Sequence, residues 1–126
     1  MKHGEFIKHV SERAGVPKDI AETLTRVTLE TLADRLSGGE PHDLASQLPH
    51  ELQDYVRPSA KLSERFGVEE FVDRVAKGAH VDGETARKGV RAVLLTVREA
   101  VSAGEWDDVM AQLPAGYSEL VETAQA

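Results

Sequence analysis

The sequence predicts an all-α protein, a helical bundle of two tandem repeats of about four helices each, related by a pseudo-twofold axis. Three observations lead there. Apolar residues recur at intervals near 3.6 through both long segments of the chain. No stretch alternates with period two over the length of a strand. Positions 5–56, moved forward by 65, align without a gap on positions 70–121, which marks an internal duplication. Identities include Glu5/Glu70, Phe6/Phe71, Val10/Val75, Arg26/Arg91, Leu29/Leu94 and Val56/Val121. Two copies are too few for a solenoid, so each half is expected to cover the apolar face of the other.

The first helix is expected over Glu5–Gly15, with Phe6, Ile7, Val10 and Ala14 on one side and Gly15 as its C-terminal cap. Val16-Pro17 then suits a short extended link, because the residue before proline avoids the helical region. A longer helix opens at Pro17-Lys18-Asp19, with Asp19 complementing the dipole and Ile20, Leu24, Val27, Leu32 and Leu36 forming its stripe. A short third helix follows from Glu40, burying Leu44 and Leu48. Pro49 stops it and starts a fourth, His50 to Val56. The first repeat is thus residues 1–58. Residues 59–69 are a connector in which Leu62 and Phe66 pack back on the core, and residues 70–126 are the second repeat. The second long helix is expected over Glu84–Ser102, where Gly89 stands at the position of Leu24 and allows close helix approach.

One stretch is written twice. Ser37-Gly38-Gly39-Glu40 through Gln47-Leu48-Pro49 and Ser102-Ala103-Gly104-Glu105 through Gln112-Leu113-Pro114 both read S-x-G-E-x-x-D-x-x-x-Q-L-P. Its glycine suits a helix C-cap, and its Ser and Glu match a capping box; the two readings compete for the same residues. Either way the motif closes a long helix, starts a short one and stops it at Leu-Pro. The glutamines are expected to bond exposed backbone groups at the helix stop.

Composition excludes several classes of function. With 126 residues the chain is one compact domain or two small units sharing a core. Its formal charge is −7, and splitting after Glu64 leaves 8 basic and 11 acidic residues before the cut and 7 and 11 after it. A phosphate backbone is repelled by such a surface, so nucleic-acid binding is disfavoured and DNA binding ranks last among the functions considered. There is no cysteine, which removes disulfides, thiolate catalysis and Cys-ligated zinc. No apolar run reaches the length of a membrane span and the amino terminus has no signal core, so a cytoplasmic protein without membrane partner is expected.

Arg26 to Glu40 followed by Asp43-Leu-Ala-Ser-Gln-Leu-Pro49, and Gly104 to Pro114 leading to Tyr117-Ser-Glu-Leu-Val121, resemble the bacterial family called domain of unknown function 2267. The resemblance runs from about residue 3 to 121. It implies a small helical protein of tandem repeats, and brings no catalytic residue or cofactor with it. Pro41 and Ala115-Gly116 depart from the pattern.

The side chains support little chemistry. His3, His9, His42, His50 and His80 do not recur between halves and show no metal-ligand spacing, so no metal is expected. Glu40, Asp43, Glu105, Asp107 and Asp108 can supply paired carboxylates, but capping and dipole stabilisation explain their placement more simply. Arg26 and Arg91 fit helix-surface ion pairs better than a shared anion site. Trp106, the only tryptophan, takes the place of Pro41 and is either partial core or an interface anchor. No catalytic residue, cofactor or small-molecule ligand is assigned. The expected function is a non-enzymatic protein-interaction or scaffold module of the bacterial cytoplasm, stress-associated or self-associating. Its expected partner-binding residues are Glu40, Asp43, Glu105, Trp106 and Asp108, with the ends of the four carboxylates exposed. The alternative is a small-molecule or anion-binding protein, or an enzyme, with a pocket between the repeats.

Overall fold

The computed structural model describes residues 1–57 and 65–122, and every regular element in them is an α-helix. These are α1 (His3–Ala14), α2 (Lys18–Arg35), α3 (Glu40–Ser46), α4 (His50–Gln53), α5 (Val68–Ala79), α6 (Gly83–Ala100), α7 (Ala103–Ala111) and α8 (Ala115–Glu122). Leu62 and most of the connector lie outside the described residues. Moving the bounds of α1 and α2 forward by 65 positions lands on those of α5 and α6.

Helix ends follow local chemistry. Gly15, at φ 67°, closes α1 by donating its N–H to the Ser11 carbonyl, as expected of a left-handed glycine cap. At the matching end of α5 the left-handed position falls to His80, at φ 58°. A side chain with a Cβ is strained there. Asp82 caps α6 by accepting the Thr85 N–H at 2.7 Å. The long helix expected over Glu84–Ser102 runs over Gly83–Ala100, because Ser102 serves as the cap of α7. Helix α4 is shorter than expected. It ends at Gln53, and Tyr55 and Val56 follow with N–H bonds to the carbonyls three residues back. Pro58 bars helical geometry at Arg57, and the segment tightens before reaching it.

The core is built on α2 and α6, which pack against each other. Helix α1 lies on both of them, and so does α5. Phe6, Val10, Leu24, Leu29 and Leu32 therefore share one interior with Phe71, Val75, Val90, Val93 and Leu94. Helix α3 meets α7, α4 rests on α1 and α3, and α8 rests on α5 and α6.

Gly89 determines how closely α2 and α6 approach. A Cβ there would stand 2.7 Å and 2.8 Å from the two methyls of Leu24, which is fully buried. The leucine of one half thus fills the space left by the glycine at the matching position of the other. Gly78 plays a similar part on α5, where a Cβ would meet Val27 Cγ1 at 2.8 Å. At the position matching Gly78, Arg13 instead reaches across to α6, donating to Thr96 Oγ1 at 2.9 Å and pairing with Glu99 at 2.7 Å.

Gly89→Ala is expected to lower stability by about 1–3 kcal/mol through overpacking against Leu24. In a Leu24→Ala background the same change should instead stabilise, by up to about 1 kcal/mol of helix propensity. Urea unfolding of the four proteins measures this reversal of sign. His80→Gly should raise stability by about 0.5–1 kcal/mol by relieving the left-handed cap, again read from the urea midpoint.

Candidate functional site

Helices α2 and α6 each deliver one copy of the repeated motif to the same place, where α3 packs on α7. The copies start differently. Gly38 takes φ 66° and α3 begins after Gly39 without a side-chain cap. Ser102 caps α7 by accepting the Glu105 N–H on its hydroxyl at 3.1 Å. The serine-cap reading therefore holds in the second copy and the glycine C-cap reading in neither, since α2 and α6 end on extended Leu36 and Val101 and Gly38 lies in the turn beyond.

In a full capping box the glutamate side chain would return to the serine N–H. Here that N–H is already used, and by the other copy. Ser102 N–H donates to Gln47 Oε1 at 2.7 Å, and Ser37 N–H donates to Gln112 Oε1 at 2.8 Å. Gln112 also donates its amide to the Ser37 carbonyl at 3.3 Å. The glutamines do bond exposed backbone groups, as expected, but across the α3–α7 contact rather than at their own helix ends.

With the serines satisfied, the two motif glutamates are free to turn inward. Glu40 retains 9% of its surface and Glu105 7%, so the exposed placement expected for them is corrected to a buried one. Their side chains interact across the α3–α7 contact, each charge disfavouring the other. Glu40 Oε1 and Glu105 Oε2 are buried and have no hydrogen-bond partner. Burial first, then the neighbouring Glu105 carboxyl, then the charges of Asp108 and Asp43 push the Glu40 carboxyl up to about 8. Capping does not describe these two side chains. Asp43 and Asp108 remain exposed beside them.

Trp106 follows Glu105 but faces elsewhere. It is half-buried in the wall of a cleft of about 350 Å³ between α7, α8 and the end of α6. Met110, Leu113 and Val121 line the cleft with it, and Arg98, Asp107 and Glu122 add charge. The structure thus divides the five candidate residues. Glu40 and Glu105 form an internal pair flanked by Asp43 and Asp108, and Trp106 belongs to a separate surface.

Arg26 closes on Glu30 of its own helix at 3.2 Å, the ion-pair reading. Arg91 is half-buried on α6. Among the described residues, no three His, Asp or Glu side chains are grouped to hold a metal ion.

A second polar cluster escaped sequence reasoning. The Phe66 carbonyl accepts from buried Arg35 at 2.9 Å and from the Tyr117 hydroxyl at 3.0 Å. Burial pushes the Tyr117 phenol above its ordinary range. The Arg74 guanidinium lies 3.8 Å from the centre of the Phe66 ring, and Phe71 meets Tyr117 edge-on. Together they fasten the segment leading into α5, with Phe66 buried as expected. The signal was present: Arg35 and Tyr117 replace the Ala100 and Leu52 of the matching positions.

These features define a small all-α protein in which two short helices meet over an internal carboxyl pair. The chain belongs to the uncharacterized conserved protein family DUF2267, whose profile matches residues 3–120. No curated protein matches it. Among the described residues no helix is long and apolar enough to cross a membrane.

Gln47→Ala and Gln112→Ala should each cost about 0.5–1.5 kcal/mol for a lost hydrogen bond. Their effect on amide exchange should be crosswise: Gln47→Ala speeds exchange at Ser102, and Gln112→Ala speeds it at Ser37. Residue-resolved hydrogen exchange reads the pattern, and acceleration confined to each variant's own copy would contradict it.

Proposed function

We propose that the protein is a non-enzymatic protein-interaction module of the bacterial cytoplasm, built from two tandem repeats about a pseudo-twofold axis, whose docking surface is the cleft beside Trp106. The observation that carries the reading is the half-buried Trp106 in the wall of that cleft, with Met110, Leu113 and Val121 around it. An amphipathic ring that is partly covered and partly open is the residue type that anchors interfaces most strongly. The repeat architecture is supported by the ungapped internal match, the coincident helix bounds and the crosswise Ser–Gln bonds.

The cleft has a chemical preference. Its apolar wall carries Asp107 and Glu122 against a single Arg98, on a chain of net charge −7. A short partner segment with one bulky apolar side chain flanked by lysine or arginine fits both features. Charge speeds the encounter and the tryptophan supplies the anchor.

The test is a crosslinked pull-down from bacterial cytosol with the wild type and Trp106→Ala. The expected result is a discrete partner held by the wild type and lost from the variant, with circular dichroism unchanged. Adding the purified partner should shift the emission of Trp106, the only tryptophan in the chain. A monomer that captures nothing, or identical capture by both proteins, counts against the reading.

A further inference from the structure

The glutamate pair lies outside the docking surface and has a feature that capping does not explain. Two carboxyls, on side chains 9% and 7% exposed, face each other from α3 and α7, and each has an oxygen without a partner. The charges that bear most on Glu40 are acidic without exception: Glu105 and Asp108 from α7, and Asp43 from α3 itself. Helices α3, α4 and α7 also carry His42, His50, Glu51 and Asp107, all exposed. A buried pair of this kind is tolerable with one proton between the two groups and strongly repulsive with none.

We propose that Glu40 and Glu105 form a proton-operated latch, in which one shared proton holds α3 against α7 and its loss to solvent loosens that contact. The proton passes to the bulk buffer and leaves two carboxylates. Each then regains water only if the helices give way. The latch sits where α3 packs on α7. Across the contact, besides packing, run the two exposed Ser–Gln links.

The direction of the pH response follows. Below about 8 the folded protein holds a proton on Glu40, whereas the unfolded chain releases it near the ordinary 4.5. The folded state therefore binds more protons across that interval. Stability falls as pH rises from about 4.5 to about 8 and is level above it. The response is local to α3 and α7, because the α2–α6 core contains none of these groups.

The latch stands independently of any docking partner, so its test uses the protein alone. Trp106 adjoins Glu105 and reports on α7. In the wild type its emission should titrate with a single-proton transition near pH 8 while far-UV circular dichroism stays constant. Glu40→Gln keeps a hydrogen-bonding group and cannot ionise, so it should abolish the transition and raise the urea midpoint at pH 8.5 above that of the wild type. Glu105→Gln removes a like charge but leaves Glu40 buried, so it should move the transition to lower pH without abolishing it, and Asp43→Asn should leave a transition of similar size. Four results would overturn the latch: no transition between pH 6 and 9.5, one that persists in Glu40→Gln, one accompanied by global loss of helix, or one reversed at pH 9 by millimolar magnesium or calcium. The last would make the pair a cation site instead.

Discussion

The approach of α2 to α6 at Leu24 and Gly89 is the constraint on which the other contacts depend. Helix axes come this close only where one side gives up its side chain, and the leucine methyls occupy the volume that a Cβ on Gly89 would need. Once the two long helices are fixed at that distance, α1 and α5 can each lie across both of them. The interior then becomes one cluster rather than two thin ones. A chain of this length buries only a modest share of its surface, so merging two small cores matters more here than in a larger domain.

The same constraint sets the geometry at the helix ends. Because α2 and α6 lie side by side, their C-terminal exits bring Ser37 and Ser102 close enough for the glutamine of each motif to reach the serine of the other. The Ser102 N–H is a donor at the start of α7 and the Ser37 N–H stands in the link between α2 and α3, and neither has a partner within a helix. In an isolated motif the acceptor would be the motif's own glutamate. With glutamine supplied across the contact, the glutamate is displaced from its local role. It turns into the gap between α3 and α7, where its counterpart arrives from the other side.

This explains what was legible in the sequence and what was not. The all-α class, the long helices and the room at Gly89 were legible, because periodicity and a single missing side chain are local signals. The glycine cap of α1 was legible for the same reason. The fate of Glu40 and Glu105 was not. A capping box and an inward carboxyl use the same residues at the same spacing, and the choice rests on an acceptor 55 or 75 positions away. Arg35 and Tyr117 were hidden differently. Each departs from its counterpart in the other half, but their common partner is a backbone carbonyl at Phe66, which carries no sequence signature. The early end of α4 reflects the weakness of a helix too short to propagate.

The energetics of the pair argue against an incidental origin. Holding the Glu40 carboxyl far above its ordinary range destabilises the fold once that proton is lost. Two leucines in the same space would remove the penalty, since buried ionisable groups are commonly outperformed by apolar ones of similar volume. The remaining core shows no difficulty in supplying leucine, with Leu44 on α3 and Leu48 just past its end. Glutamate at both positions is therefore a costly choice made twice. The property it adds, which leucine lacks, is a contact whose strength depends on a proton.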